Sequence, residues 1–245
     1  MKKISVIMVC KNSSETIKDS LDSFFRQNLP DKELIIVDGG STDKTIDIIN
    51  NYKNKNFIFE TIKHLGLYES INYGIKKSTG GIIGLLHSDD VYYDNNVLNR
   101  VYENFLLDKL DAVYTDIVFI NKSKKIIRKW INTEVDSIVA SNGFLPPHTG
   151  LFVKKSVFDI IGYYNVNYAI SSDIEFMYKL FLNKDLKKKY LNFFSARMLI
   201  GGLSTKSPIS IFKSNFEVYK ILKSLKVKHP IILILKKILT KIKQY

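Results

Sequence analysis

The sequence predicts an α/β fold: a mostly parallel central sheet flanked by helices, with a helical extension at the C-terminus. Three observations predict it. Four short apolar runs between Ile4 and His87 alternate with helix-like stretches, the pattern of parallel strands covered by helices. Those runs are continuously apolar rather than alternating, so each strand is buried on both faces. The 245 residues are 45% hydrophobic, with 14 Tyr and 15 Phe, enough for one sizeable core and too apolar for intrinsic disorder.

The elements follow in order. Ile4 to Val9 is a β-rich run. Ser13 or Ser14 caps a helix reaching about Asn28, with Leu21, Phe24 and Phe25 on its buried face. Glu33 to Val37 is a second strand, ending at Asp38. Gly39-Gly40-Ser41 leads into a helix over about 42–50, and Phe57 to Ile62 is a third strand. A helix over 68–77 precedes the fourth strand, Ile82 to His87. A helix follows from Asn95 to about Leu107. Asp111 to Ile120 and Lys125 to Ile131 form a strand pair around Asn121-Lys122-Ser123. Pro146-Pro147 marks a loop over 143–150, Leu151 to Val153 is a short strand, and Ser171 to Leu182 is a helix. The tail reads as two helices, about 207–225 and 230–243.

Composition narrows the function classes. The single cysteine, Cys10, cannot form an internal disulfide, which fits a reducing cytosol. The basic start Met1-Lys2-Lys3 precedes an apolar run too short for a signal peptide. No stretch reaches the roughly 18–20 apolar residues that span a bilayer. The net charge of +13 is concentrated: from Lys206 onward there are ten lysines and one acid, Glu217, giving 10 − 1 = +9. Nucleic acid, an anionic membrane or water alone can face such a tail. No nucleic-acid-binding module accompanies the charge, so nucleic acid is set aside.

Open α/β sheets bind ligands outside the carboxyl ends of their strands. Strand one ends at Cys10-Lys11-Asn12, strand two at Asp38-Gly39-Gly40-Ser41, and strand four at Ser88-Asp89-Asp90. Asp89 and Asp90 are adjacent carboxylates, which repel unless a positive group joins them. A hard divalent cation shared with phosphates answers that need, whereas a solvated acidic turn needs no ligand. Asp38 by itself reads equally as a turn or cap residue. Gly39-Gly40 is neither a dinucleotide fingerprint nor a Walker A loop.

In combination these segments resemble the family 2 glycosyltransferases of the GT-A fold, in particular a bacterial surface-polysaccharide branch. The resemblance runs through Ser5-Val6-Ile7 to Asn12, Glu33 to Thr45, Gly66 to Ile75, Thr79-Gly80-Gly81 and Ser88-Asp89-Asp90, and covers about residues 3 to 205. It implies a nucleotide-sugar donor, UDP above all, and a DXD-type metal motif. Asp38 would hydrogen-bond the donor's base, and Asp89 would approach the ribose or donor sugar. Asp90 would bind Mn²⁺ or Mg²⁺ on the diphosphate. Lys11 and Asn12 would border the nucleotide pocket, and Asn72 would shape the donor side.

Ile170-Ser171-Ser172-Asp173-Ile174-Glu175-Phe176 resembles the family's acidic acceptor motif, with Asp173 as catalytic base. An inverting displacement needs one base for the acceptor hydroxyl; alternatively Asp173 merely favours a helix N-terminus. His148 stands where the family often has a polar residue near diphosphate or metal, or is a plain loop histidine. His64, His87 and His229 form no metal-ligand spacing with it and receive no role. Gly201-Gly202-Leu203-Ser204 suits a loop closing on donor, or an ordinary glycine turn. The sequence departs from that branch at Tyr68-Glu69-Ser70, where Tyr-Asp-Ala is usual, and at Lys63-His64-Leu65, where an acid is usual. Both departures bear on the donor sugar.

The expected organisation is a GT-A domain over 1–205 and a basic helical extension over 206–245. Apolar positions 231, 234, 235, 238, 239 and 242 share one helical face with lysines around it, which suits an anionic membrane and a lipid-linked glycan acceptor. The enzyme would then be cytoplasmic and peripheral on the inner face of the cell membrane. Two competitors remain. One is a catalytically silent nucleotide-sugar- or membrane-binding subunit. The other is a sugar nucleotidyltransferase, for which a glycine-rich, Arg/Lys-bearing N-terminal loop is missing.

Overall fold

A computed structural model describes residues 3–201 and 207–235. β1 (Ile4–Cys10), β2 (Lys32–Asp38), β3 (Ile58–Thr61) and β4 (Ile82–Leu85) are joined by α1 (Ile17–Phe25), α2 (Thr45–Asn50) and α3 (Leu67–Lys77). After β5 (Val91–Tyr92) come α4 (Val97–Leu107), the hairpin β6 (Ala112–Ile120) and β7 (Ile126–Trp130), and α5 (Ser137–Ser141). A 3-10 turn (His148–Gly150) leads into β8 (Leu151–Lys154), then α6 (Val157–Ile161), α7 (Ser172–Leu182), β9 (Lys188–Leu199) and α8 (Pro208–Ser224).

The nine strands form one sheet in the order β3-β2-β1-β4-β8-β6-β9-β5, with β7 beside β6. β3, β2, β1 and β4 are parallel, as the helical crossovers between them require. Beyond β4 the directions mix. β8 is antiparallel to β4 and β6, β9 runs parallel to β6, and β5 is antiparallel to β9. The tight turn at Asn121–Lys125 admits only antiparallel pairing of β6 with β7.

Alternation along the strands sorts the core onto two faces. Val6, Met8, Leu34 and Ile36 pack with α1, α2 and α4 through Leu21, Phe24, Ile49 and Val101. Ile7, Ile35, Val37 and Ile83 face α3, α6 and α7 through Ile71, Ile75, Phe158, Phe176 and Leu180. α3 approaches β1 so closely at Gly74 that a Cβ there would lie 2.5 Å from Ile7 Cγ2.

Several expected boundaries move for identifiable reasons. α1 starts at Ile17, and neither Ser13 nor Ser14 caps it, because both are engaged by the β2–α2 loop. α2 starts at Thr45, since Asp43 accepts the N–H and hydroxyl of Thr45 and closes the loop first. β5, α5, α6 and above all the twelve-residue β9 are additional to the expected elements. The first tail helix is present as α8. It packs on α7, burying Val218, Ile221 and Leu222 against Tyr178. The extension is therefore fastened to the preceding domain. Residues 230–235 are helical, whereas 236–243 of the second expected tail helix lie outside the described residues. So do Gly202, Leu203 and Ser204 of the glycine loop. Among the described residues no helix is long and apolar enough to cross a membrane.

Candidate active site

The carboxyl ends of β1, β2 and β4 meet through hydrogen bonds of the residues that follow them. Asn12 N–H donates to Ser41 Oγ at 2.8 Å, and Asn12 Oδ1 accepts from Thr42 N–H at 2.8 Å. Asn12 takes a left-handed backbone, φ 51°, to make both bonds. Ser13 N–H donates to Thr45 Oγ1 at 2.7 Å, and Ser13 Oγ shares a 2.8 Å hydrogen bond with Ser88 Oγ. Lys11 is exposed, its stem running beside Gly39.

Asp38 is fully buried and serves its own loop. Its Oδ2 accepts the N–H groups of Gly40 and Ser41, each at 2.9 Å, and Oδ1 accepts the Ser41 hydroxyl. Gly40 sits at φ 84°, and a Cβ there would lie 2.9 Å from Lys63 Cγ. Asn72 likewise spends both ends of its amide on the Tyr164 backbone. Its Nδ2 donates to the carbonyl at 2.7 Å and its Oδ1 accepts the N–H at 3.0 Å. It thereby clamps α3 to the loop ahead of α7, and the ring of Tyr68 on α3 stacks on that of Tyr164 in the loop.

Asp90 is 1% exposed, and its Oδ2 has no hydrogen-bond partner. Burial, and then the neighbouring Asp89 charge, push its carboxyl well above the usual carboxylate range. Asp89 is half-buried and is also pushed up by burial, with His148 acting in the opposite direction. A buried, unpartnered carboxylate oxygen next to a second carboxylate fits a divalent cation. No group of three or more His, Cys, Asp or Glu side chains that could hold an ion occurs among the described residues. The arrangement therefore suits a cation, Mn²⁺ or Mg²⁺, that takes one or two carboxylates from the protein and its other ligands from a diphosphate and water.

Asp173 lies in the first turn of α7. Tyr68 Oη sits 2.9 Å from its Oδ1 and 2.6 Å from the Ile170 carbonyl, and His148 Nδ1 lies 3.2 Å from its Oδ2. His148 Nε2 is in turn 3.2 Å from His87 Nε2. One proton arrangement satisfies this chain: His87 Nε2–H donates to His148 Nε2, and His148 Nδ1–H donates to Asp173. His87 is suited to it, because burial and the adjacent His148 push its pKa down to about 3 and keep it neutral. Behind α7, the Glu217 carboxylate of α8 accepts the N–H groups of Ala169, Ile170 and Ser171 at 2.9–3.0 Å. Ser171 and Ser214 hydroxyls add a 3.0 Å contact.

The structure thus brings Lys11, Asn12 and Asp38 together at one end of the sheet and joins His148 to Asp173. His87, to which the sequence reading gave no role, lies against His148. Spacing concealed it because its partner lies 61 residues away on another strand's approach. Tyr68 and Glu217 were also unassigned. Tyr68 stood inside the Gly66–Ile75 motif, and Glu217 as the lone acid of the basic tail was a signal in itself.

The sequence model described as Glycosyl transferase family 2 matches residues 5–168. A PGL/p-HBAD biosynthesis glycosyltransferase of Mycobacterium bovis BCG is 30% identical over 207 residues, 82% of this chain and 78% of that protein. A poly-beta-1,6-N-acetyl-D-glucosamine synthase of Staphylococcus epidermidis is 32% identical over 190 residues, 73% of this chain and 46% of that one. Among solved structures, residues 1–349 of S. aureus TarS in complex with UDP-GlcNAc give a TM-score of 0.74 at 20% identity, covering 89% of this chain and 65% of that one. The mannosyltransferase PcManGT from Pyrobaculum calidifontis, in complex with GDP-Man and Mn²⁺, gives 0.65 at 14% identity, covering 95% and 68%. The chain spans under two thirds of the TarS fragment and less than half of the synthase. The structural likenesses carry the fold, the GT-A fold expected from the sequence. With the family match extending over most of the chain and a relative at 30% identity, the protein belongs to glycosyl transferase family 2.

Proposed function

We infer that the protein is an inverting, metal-dependent glycosyltransferase. It moves a sugar from a nucleotide-diphosphate donor, with UDP as the nucleotide, to a hydroxyl of a lipid-linked or growing surface glycan. The observation that carries this reading is Asp173 held between Tyr68 and His148, and the buried, unpartnered Asp90 supports it. The names of the relatives, a PGL/p-HBAD biosynthesis glycosyltransferase and a poly-beta-1,6-N-acetyl-D-glucosamine synthase, support the acceptor class. The UDP-GlcNAc complex of TarS supports the nucleotide.

Asp173 acts as general base. Tyr68 and His148 each occupy one lone pair on its two oxygens and leave others open to the acceptor hydroxyl. As that proton moves to Asp173, the hydroxyl oxygen bonds the anomeric carbon. The bond from that carbon to the donor's phosphate oxygen breaks, and the electron pair leaves with the nucleoside diphosphate. Attack from the opposite face inverts the anomeric configuration. A divalent cation held by Asp90 would supply positive charge for the departing diphosphate. Asp38 sets the loop at the nucleotide end through Gly40 and Ser41, while Lys11 and Asn12 border it. Asp89 faces the ribose or donor sugar, and Asn72 shapes the donor side by fixing Tyr164. With a lipid-linked acceptor, the enzyme would work at the inner face of the cell membrane.

The test is a thermal-shift screen against UDP, GDP, CDP and their sugar conjugates, with Mn²⁺ or EDTA, paired with transfer assays of Asp173→Asn. A metal-dependent rise with UDP is expected, since a ligand selective for the folded state stabilises it. Asp173→Asn should keep that rise and lose transfer by about 10²–10⁴-fold. Near-normal transfer by this variant, or no shift with any nucleotide in folded protein, overturns the reading.

A further inference from the structure

α8 has two opposed faces. The inner one carries Ser214, Glu217, Val218, Ile221 and Leu222, which bury against α7 and the amides that precede Asp173. The outer one carries Ile209, Phe212 and Phe216, spaced i, i+3 and i+7, and these are 79%, 75% and 50% exposed. An apolar stripe on the solvent side of a helix whose other side is already packed has no folding role. Lysines border it: Lys213 lies beside Phe212 in sequence, and Lys220 Nζ sits 4.5 Å above the Phe216 ring. Lys223 extends the same face toward the C-terminus. Across residues 207–235 there are five lysines and one acid. That acid, Glu217, is 7% exposed and turned to backbone amides, so the outer surface carries no carboxylate to offset the lysines. Ile231, Ile232 and Leu235 are also exposed in the helical stretch that follows.

We propose that the outer face of α8, through Ile209, Phe212 and Phe216 with Lys213, Lys220 and Lys223 around them, docks on the surface of an anionic lipid bilayer. Charge complementarity selects this occupant. Apolar side chains of a surface helix enter the boundary between headgroups and acyl chains, and each nearby lysine adds attraction to anionic lipid. The lysine stems are long enough to lie along the apolar stripe with their ammonium groups at headgroup level. Docking by this helix differs from anchoring by a terminal tail. The helix that touches lipid also holds, one side chain through, the backbone that leads into α7 and Asp173. An acceptor carried by the same bilayer would meet a base held from the membrane side of the protein. The proposal deepens the membrane-partner part of the function inferred above. It is read without donor or acceptor, so its failure leaves the transfer chemistry standing.

The experiment is flotation of the full chain with vesicles of phosphatidylcholine alone or mixed with phosphatidylglycerol, comparing wild type with Ile209→Ser/Phe212→Ser/Phe216→Ser. Wild type should float with the phosphatidylglycerol vesicles and release at high salt. The triple variant should bind at least tenfold more weakly, with an unchanged melting temperature and an unchanged UDP shift. Lys213→Gln/Lys220→Gln/Lys223→Gln should weaken binding without touching the stripe. Equal binding by the apolar variant overturns the proposal, because the remaining tail would then carry the affinity. Wild type that stays with phosphatidylcholine as readily as with phosphatidylglycerol, or that instead self-associates through this face and ignores vesicles, overturns it as well.

Discussion

Asp90→Asn should make the metal-free protein more stable and the enzyme inactive. The carboxylate is almost wholly buried, one oxygen has no partner, and Asp89 lies next to it. An unsatisfied buried polar group costs about 1–3 kcal/mol, more when charged. The amide is nearly isosteric and removes the charge. For a chain of this size, 1 kcal/mol corresponds to about 2–4 °C in melting temperature. A rise of roughly 2–12 °C is expected in EDTA at neutral pH. The sign with pH follows from the raised carboxyl. A group whose folded pKa lies above its unfolded value favours the folded state only while protonated. Its penalty is absent below the unfolded value of 3.8 and grows as pH rises toward the higher folded value. The advantage of the variant should therefore fade as pH falls toward 4. In Mn²⁺ and UDP the order should reverse, since only the wild type gains ligand stabilisation. Differential scanning fluorimetry over this pH range, with EDTA or with Mn²⁺ and UDP, measures all three. A variant no more stable than wild type in EDTA at neutral pH would refute the idea that Asp90 is held at a cost for a cation.

Three further outcomes follow from other contacts. His87→Leu should lower kcat about tenfold or more with KM for donor nearly unchanged, because His148 loses the donor that fixes its tautomer. His87→Gln, which keeps an N–H, should recover much of it, and steady-state kinetics that show no difference between the two variants would exclude that role. Glu33, pushed up by burial but brought below its ordinary 4.5 overall by hydrogen bonds from Ser5, Thr79 and Lys3, ties β1 and β2 to Thr79. A lowered folded pKa means its stabilisation is present above the unfolded value and lost as pH falls below about 4.5. Glu33→Gln should cost about 1–3 kcal/mol at pH 7 in urea titration, with the difference shrinking at pH 3–4. Gly74→Ala should cost about 1–3 kcal/mol from overpacking, because the new methyl meets Ile7 Cγ2 at 2.5 Å; an unchanged urea midpoint would contradict the close approach of α3 and β1.

β1, β2 and β4 were readable because each is a largely apolar run flanked by turn residues, and that pattern has one good home, the parallel interior of a covered sheet. β3 departs from the expected burial on both faces: it is the edge strand, carries Glu60 and Thr61, and is only half-buried. β9 left no such trace. Its sequence opens on Lys188-Lys189 and is broken by Asn192, Ser195 and Arg197, and register shifts beside Thr115 and Asp116 scramble its alternation. The carboxylates of the site were legible through their place at strand ends. Their uses were less so. Asp38 and Asn72 look from sequence like groups aimed at a ligand, yet their polar atoms are engaged with the protein's own loops. The link from His87 through His148 to Asp173 depends on side chains brought together from the segment after β4, the turn before β8 and α7. No local spacing encodes such a meeting.

β9 carries a consequence for synthesis. It is the neighbour of β6 within the sheet and, among the described residues, the only neighbour of β5, and β5 begins at the residue after Asp90. A nascent chain that has emerged only to the end of the family match, near residue 168, already holds β1 to β8 but leaves one long edge of β6 without a partner. Bare edges of that kind recruit other chains. The acidic pair waits for a strand about a hundred residues downstream, so the site is finished late in translation. Ribosome-stalled lengths ending before residue 188 should be the aggregation-prone ones, and those that expose β9 should be the first to acquire protease resistance across β5 and β6.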